Sequence, residues 1–229
     1  MGLKYKEQLK NFFNFELDKK FNVSIINNEF DLVKTDVMEY IYSIINIPIE
    51  YFVTYINDNC DCEAIMAADV FQFSSINDAT HNICSIIKSI GNPGLKFKKI
   101  GDLLLNDEKN RTDIALNKYG ENHIKTAELL GLAFKNDQKY YYLSGLGLLY
   151  SDMTTDVQEK LLTRLVLRNK LIIQILILAQ NGNLNLEAFL YDLSKSTYVR
   201  RKSNVKKIIN ILEKSNEYEF KDFINNITY

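Results

Sequence analysis

Apolar residues in the middle of the chain recur with the period of an α-helix. Isoleucines between residues 83 and 90 stand at i, i+3, i+4 and i+7, which predicts a helix that begins near His81 and ends at Gly91. A second apolar stripe, which includes Phe97 and Ile100, predicts another helix over Lys96–Leu105. This part of the chain is therefore expected to be helical.

Two short helices and a returning strand are expected after a polar loop. The helices cover Thr112–Tyr119 and Glu121–Leu130, and Gly120 divides them because a left-handed turn costs least at glycine. A Leu-Gly-Leu stop and a polar turn follow, and then a strand with the run Tyr140-Tyr141-Tyr142. Helix, turn, helix and returning strand form the layout of a winged helix-turn-helix, a module that usually binds nucleic acid.

The last third of the chain is expected to repeat this plan. A long helix over Asp156–Leu178 precedes a short helix over Leu186–Leu193 and a third helix from Tyr198 to about Lys214, with Ser196 or Thr197 as its N-cap. The tail is expected to return as a wing strand or to lie as a closing helix. These features predict two winged-helix units in tandem.

The N-terminal part gives mixed signals. Alternating apolar and polar residues predict short strands over Phe21–Ile25 and Phe30–Val33, joined by a turn. Helices are expected over Val37–Ile45 and Ile49–Ile56.

The predicted fold is mainly α with small β wings, in three parts. The expected parts are a mixed α/β region over residues 1–80, a first winged-helix unit over 81–155 and a second over 156–229. Residues 1–80 carry 6 Lys and Arg against 13 Asp and Glu, whereas the remainder carries 22 against 16, within a total charge of −1. A polyanion is therefore expected on the second and third parts, and dimerisation or partner contact on the acidic first part.

No stretch approaches the roughly 20 apolar residues that cross a bilayer, and the polar N-terminus has no apolar signal core. A cytoplasmic protein without membrane contact is expected.

The cysteines raise the question of a metal site. Cys60, Cys62 and Cys84 make an odd number, which argues against a disulfide framework and predicts reduced thiols. Together with His81 they could supply four zinc ligands, but their spacing is not a familiar zinc pattern. A structural role for these residues is favoured over metal binding, and no cofactor is expected.

The first winged unit offers polar groups for DNA. Asn122 could pair with adenine through two hydrogen bonds, and Lys118 or Lys125 could reach phosphate or guanine. The full set of candidate contacts from this unit and its wing is Arg111, Lys118, Asn122, His123, Lys125, Thr126, Lys135, Lys139 and Tyr140.

The second unit has the densest run of positive charge. Six cations fall within 13 residues, and there is no acid between Lys195 and Asn210, which indicates phosphate contacts. The candidate contacts here are Lys195, Ser196, Thr197, Arg200, Arg201, Lys202, Asn204, Lys206 and Lys207.

Two stretches carry a resemblance to a known family. Residues 114–147, with Tyr119-Gly120-Glu121-Asn122-His123 and the later Leu-Ser-x-x-Gly, resemble winged-helix domains of bacterial regulators and of type II restriction enzymes. Residues 196–205, with Arg200-Arg201, are similar to the Arg-Arg-x-x-Thr-Val segment that ends the restriction-associated forms, although Asn204 precedes Val205 and no tryptophan follows. The resemblance covers about residues 96–212. It implies sequence-specific binding of double-stranded DNA in a regulatory, restriction-modification or defence context.

Two other functions are kept as alternatives. A type II restriction endonuclease, or its recognition subunit, would need a Mg²⁺ site, for which Glu219-Phe220-Lys221 is a poor candidate without a preceding acid on a strand. A winged-helix scaffold for protein partners is the second alternative. A homodimer through residues 1–80 is compatible with each.

Overall fold

A computed structural model describes residues 3–61, 64–105, 111–193, 195–215 and 217–229, with only the backbone at 3, 192–193, 195–200 and 222. Over these residues the chain is mainly helical with a few short strands, as the sequence predicts, and the strands form two small sheets. The elements are α1 (Leu3–Phe13), α2 (Glu16–Ile26), α3 (Phe30–Ile45), α4 (Ile49–Asn59), α5 (Ile83–Ser89), α6 (Phe97–Leu105), α7 (Asp113–Leu129), β1 (Ala133–Lys135), β2 (Tyr141–Leu143), α8 (Gly145–Tyr150), α9 (Thr155–Val166), α10 (Lys170–Gln180), β3 (Leu184–Asn185), α11 (Leu186–Leu193), α12 (Lys195–Lys214), α13 (Tyr218–Asn225) and β4 (Ile227–Thr228).

The chain forms two compact units, each built from separated segments. Unit 1 comprises Met1–Phe15, Tyr42–Phe71 and Glu159–Tyr229, and unit 2 comprises Glu16–Ile41 and Gln72–Gln158. These units do not coincide with the expected boundaries at residues 80 and 155, because the first 80 residues are divided between both.

In the second segment of unit 2, which begins at Gln72, helices α5, α6 and α7 precede a short antiparallel sheet. After α5, Leu95 forms a single bridge with Tyr141 of β2, and β2 pairs with β1 on its other side. Helices α6 and α7 lie between that bridge and β1 in the sequence. The hairpin turns through Lys139, whose backbone is left-handed (φ 64°), and the Asn136 side chain accepts the Tyr140 N–H.

Helices α6 and α7 pack together at two glycines. A methyl group on Gly120 would overlap the carbonyl oxygen of Phe97 and lie 2.6 Å from the amide nitrogen of Gly101. A methyl group on Gly101 would likewise overlap the carbonyl oxygen of Leu116. The predicted turn at Gly120 is therefore wrong: α7 is continuous from Asp113 to Leu129, and Gly120 serves close packing within it.

The N-terminal strands are also wrong, because residues 21–25 and 30–33 lie in α2 and α3. Phe21 and Ile25 are buried at helical spacing, whereas Val23, which a strand would bury with them, is 60% exposed. The expected helices over Val37–Ile45 and Ile49–Ile56 are confirmed within α3 and α4.

In unit 1, the expected helix Asp156–Leu178 is two helices, α9 and α10. Asn169 separates them: its side chain caps α10 by accepting the Leu171 and Ile172 N–H groups, and it donates to the Asp69 carbonyl. Helix α11 follows as predicted. Helix α12 ends at the predicted residue but begins at Lys195, ahead of the expected Tyr198, and its apolar stripe is buried. The tail forms α13 and then β4, which pairs in parallel with β3.

Among the described residues, none of the helices has both the length and the apolar character required to cross a membrane.

Candidate nucleic-acid interface

One side of α7 is exposed along most of its length. Ile114, Lys118, Glu121 and Lys125 stand at i, i+4, i+7 and i+11, so they form one stripe, here termed the α7 face. Ile114 is 83% exposed, in the first turn after the N-cap Thr112, whose hydroxyl accepts the Ala115 N–H. The stripe combines an apolar tip with alternating charge.

Glu121 ties the two lysines of the α7 face together. One carboxylate oxygen accepts from Lys118 Nζ at 2.8 Å, and the other accepts from Lys125 Nζ at 2.7 Å. Partial burial favours the neutral carboxyl, but the hydrogen bonds from both lysines outweigh it and lower the pKa of Glu121 below its ordinary value. The predicted phosphate contacts Lys118 and Lys125 are thus exposed, but they already share an internal counter-ion.

His123 does not lie on this surface, contrary to the sequence prediction. Its side chain is only 1% exposed. Nδ1 donates to the Tyr119 carbonyl at 2.7 Å, and Nε2 accepts the Ser74 N–H at 3.3 Å and lies 3.1 Å from the Ser74 hydroxyl. Burial lowers the pKa of His123, and the bond to Tyr119 offsets only part of this effect. The residue is a neutral internal link, not a base contact.

Thr126 is also buried, so its prediction as a DNA contact is wrong as well. Its hydroxyl donates to the Gln72 carbonyl at 3.0 Å. Both errors follow from the assumed helix start at Glu121. Because α7 begins at Asp113, residues 123 and 126 lie beyond its middle and face the segment at residues 72–74.

Asn122 is half-buried and has no side-chain hydrogen bond among the described residues. It lies in the third turn of α7 rather than at its start, so the expected position at the N-terminal turn is wrong. Arg111, just ahead of α7, is exposed.

The hairpin carries the other predicted contacts of this unit. Lys135, Lys139 and Tyr140 are all exposed. Lys96 Nζ lies 4.3 Å from the centre of the Tyr140 ring and donates to the Gln138 carbonyl at 3.4 Å. The hairpin tip is therefore positively charged and fastened to the start of α6.

Sequence reasoning did not select the lysines of α6. Lys98 and Lys99 are exposed and pair with Asp113 at 2.6 Å and Asp102 at 3.1 Å. The signal was available, because Lys96, Lys98 and Lys99 stand within four residues.

The basic cluster on α12 is engaged within unit 1. Arg201 Nη1 donates to the carbonyl oxygens of Ala67 and Val70, the latter at 2.8 Å, and Lys202 pairs with Glu187. Asn204 is buried. The interpretation of Asn204 as a DNA contact is therefore wrong, whereas Arg201 and Lys202 stay predicted DNA contacts whose side chains already have partners within unit 1.

Among the remaining α12 candidates, the structure describes the side chains of only Lys206 and Lys207. Lys206 Nζ lies 4.2 Å from the centre of the Tyr229 ring, and Lys207 is exposed. The side chains of Lys195, Ser196, Thr197 and Arg200 lie outside the described part of the chain, although their backbone belongs to α12. Ser196 and Thr197 are thus inside the helix that one of them was expected to cap.

Two of the candidate metal ligands, His81 and Cys84, lie in unit 2. Cys84 is fully buried, and burial raises the pKa of its thiol. His81 Nδ1 lies 3.2 Å from the side-chain nitrogen of Gln158. Cys62 lies outside the described residues, and the described part contains no group of three His, Cys, Asp or Glu side chains suited to a metal ion.

Comparisons of this chain with protein-family models, curated proteins and solved structures gave no match.

Proposed function

We propose that residues 83–143 form a winged helix-turn-helix that binds double-stranded DNA, with α7 as the helix that enters the major groove. The observation that carries this proposal is the order α5, Leu95 bridge, α6, α7, β1 and β2, combined with an exposed α7 face. In a helix-turn-helix, the second helix of the pair lies in the groove and the first crosses the backbone. Here α6 and α7 are that pair, and the β1–β2 hairpin is the wing.

Each exposed group has a suitable place in this arrangement. Lys118 and Lys125 on α7 would contact phosphates, as would Lys98 and Lys99 on α6. Ile114, in the first turn of α7, would meet the edges of the bases, where an apolar side chain can contact the methyl group of thymine. The wing lysines, Lys135 and Lys139, would contact the backbone beside the groove.

The charge of the module supports moderate affinity. Residues 83–143 carry 10 Lys and Arg against 7 Asp and Glu. Because Asp102, Asp113 and Glu121 are paired with lysines inside the module, phosphates would compete with these carboxylates. We therefore expect nonspecific binding that weakens steeply with salt.

A second winged unit is not included in the proposal. The β3–β4 pair is parallel, and α11, α12 and α13 lie between its strands in the sequence, where a wing needs an antiparallel hairpin. Arg201 and Lys202 are also engaged within unit 1. The resemblance to winged-helix domains of bacterial regulators and restriction enzymes supports a regulatory or defence role for the first module.

The test uses the full chain and a fluorescent 30-base-pair duplex of random sequence, titrated by fluorescence anisotropy from about 50 to 300 mM salt. We expect the logarithm of the association constant to fall linearly with the logarithm of the salt concentration. Lys118→Ala combined with Lys125→Ala should reduce the slope by about 2. Lys214→Ala, at an exposed position of α12, is the matched control and should leave the slope unchanged.

Two outcomes would contradict the proposal: no duplex binding at about 50 mM salt, or binding that the α7 double variant leaves unchanged. A parallel incubation with Mg²⁺ tests the nuclease alternative by inspection for cleavage. Glu219 and Lys221 of its candidate tripeptide lie on helix α13, not on a strand. Cleavage by the full chain would therefore need a different set of acids.

A further inference from the structure

Unit 1 contains a cavity of about 300 Å³ that the DNA-binding proposal does not use. It lies where the end of α1, the end of α4 and the start of α10 meet. Its lining includes Phe13, Phe15, Tyr55, Asn59, Arg168 and Lys170. The volume is at the lower end of the range for small-molecule sites, and the lining combines aromatic rings with charged and amide side chains.

Arg168 supplies a buried positive charge to the cavity wall. Its residue is only 4% exposed, and its guanidinium carbon lies 3.6 Å from the centre of the Phe15 ring and 4.7 Å from that of Phe12. Stacking on two rings holds the planar guanidinium in a fixed orientation. An arginine fixed in this way favours a planar anion, which it can bind through two parallel hydrogen bonds.

Phe15 reaches this position at a conformational cost. Its backbone is left-handed (φ 58°), a conformation that is unfavourable for a residue with a side chain. The strained turn after α1 places the ring over Arg168 at the cavity wall. Strain of this kind persists only where the surroundings impose it, and it concentrates at ligand sites.

Aromatic side chains provide apolar surface in the lining as well. The rings of Phe13 and Tyr55 are stacked, with centres 5.1 Å apart and planes inclined by 7°. Ile173 lines the cavity as well. An aromatic body could lie against this surface.

The lining contains two basic residues and one acid. Lys170, the exposed first residue of α10, joins Arg168 in the lining, whereas Asp61 is the acid of this lining and is exposed. The helix dipole at the start of α10 adds to the positive potential. An anion is therefore favoured over a neutral molecule of the same shape.

We propose that this cavity binds a small aromatic carboxylate, with the carboxylate at Arg168 and Lys170 and the ring against Phe13 and Tyr55. This function is independent of DNA binding by unit 2, so either can fail alone.

The half-buried thiol of Cys60 lines the cavity and reports its occupancy. The experiment uses the full chain carrying Cys62→Ser and measures the rate at which N-ethylmaleimide alkylates Cys60, by mass spectrometry of that peptide. Benzoate is the probe, and benzamide is its neutral counterpart of nearly the same shape. Cys84 is fully buried and does not compete.

We expect millimolar benzoate to slow alkylation of Cys60 at least threefold, and benzamide to have little effect. Lys170→Ala should raise the benzoate concentration that gives half of this protection at least fivefold, and Arg168→Gln should abolish the protection. Lys214→Ala, at an exposed lysine elsewhere in unit 1, should leave it intact. If Arg168→Gln does not fold, the comparison of Lys170→Ala with Lys214→Ala tests whether the cavity binds the carboxylate. Equal protection by benzamide, or none by benzoate, would overturn the proposal.

Discussion

Gly120 on α7 faces Gly101 on α6, and neither position has space for a side chain. The methyl group of an alanine at residue 120 would lie 2.6 Å from the Gly101 nitrogen and would overlap the Phe97 carbonyl. The two helices can approach this closely only because both residues are glycine.

We expect Gly120→Ala to lower the free energy of unfolding by about 1–3 kcal/mol, because the added methyl forces α6 and α7 apart. Urea denaturation followed by circular dichroism measures this change. Asn117→Ala, at an exposed position of the same helix, should change stability by no more than about 0.5 kcal/mol. A stabilised Gly120→Ala would show that helix propensity outweighs the close packing.

Glu121→Gln should increase affinity for duplex DNA, because it releases Lys118 and Lys125 from their shared carboxylate. The logarithmic salt slope should become steeper, by up to about 0.9 for each additional phosphate neutralised. Anisotropy titrations at several salt concentrations measure both quantities. Glu213→Gln removes an equal charge from an exposed position on α12 and should have little effect. Identical gains from both variants would mean that total charge, not the α7 face, controls binding.

Ile114→Ala should remove a preference for the thymine methyl group. On a duplex selected by the full chain from a random pool, replacement of thymine by uracil at the contacted position should weaken binding by about 0.8 kcal/mol. The variant should bind both duplexes equally, while its nonspecific affinity stays near that of the original chain. If the original chain never distinguishes thymine from uracil, Ile114 is not a base contact.

The buried His123 should make stability depend on pH. Its pKa is lowered in the folded chain, so the unfolded chain binds the proton more readily below the ordinary value of 6.5. The stability that depends on the neutral ring is fully present above that pH and is lost as the pH falls below it. The His123→Gln variant does not show this loss. The difference in the free energy of unfolding between the original chain and the variant should therefore narrow from pH 7.5 to 5.5. A constant difference in urea denaturation would contradict this assignment.

Arg201→Ala should destabilise unit 1 without changing the salt slope of DNA binding. The substitution removes the charged group that donates hydrogen bonds to two backbone carbonyl oxygens. The free energy of unfolding should fall by about 1.5–3 kcal/mol. Thermal unfolding measures the loss, and Lys214→Ala serves as the comparison. A shallower salt slope in a folded Arg201→Ala protein would restore the α12 cluster as a DNA contact.

Helices with long apolar stripes could be predicted from the sequence, and α6, α11 and α12 lie where their patterns placed them. Phe21 and Ile25 were misassigned because residues four apart satisfy both helical and strand spacing, so only the exposure of Val23 separates the two. Gly120 was misassigned because its partner Gly101 stands 19 positions earlier and no local pattern connects them.

The candidate site was only partly predictable for the same reason. Lys118, Lys125 and the hairpin lysines could be identified because exposed charge on a helix or turn is a local property. The roles of Arg201 and His123 could not, because their partners, Val70 and Ser74, stand far away in the sequence.

The interleaved segments of the two units also impose an order on biosynthesis. Both segments of unit 2 have left the ribosome once residue 158 has been translated and has passed through the exit tunnel, whereas unit 1 stays incomplete until residues 159–229 follow. Until residues 159–229 are available, the apolar faces of α1 and α4 that pack against this segment stay exposed. During that time they can aggregate or bind chaperones. Slow translation of the final third would prolong that exposure, and a fragment that begins at residue 81 would lack part of both units.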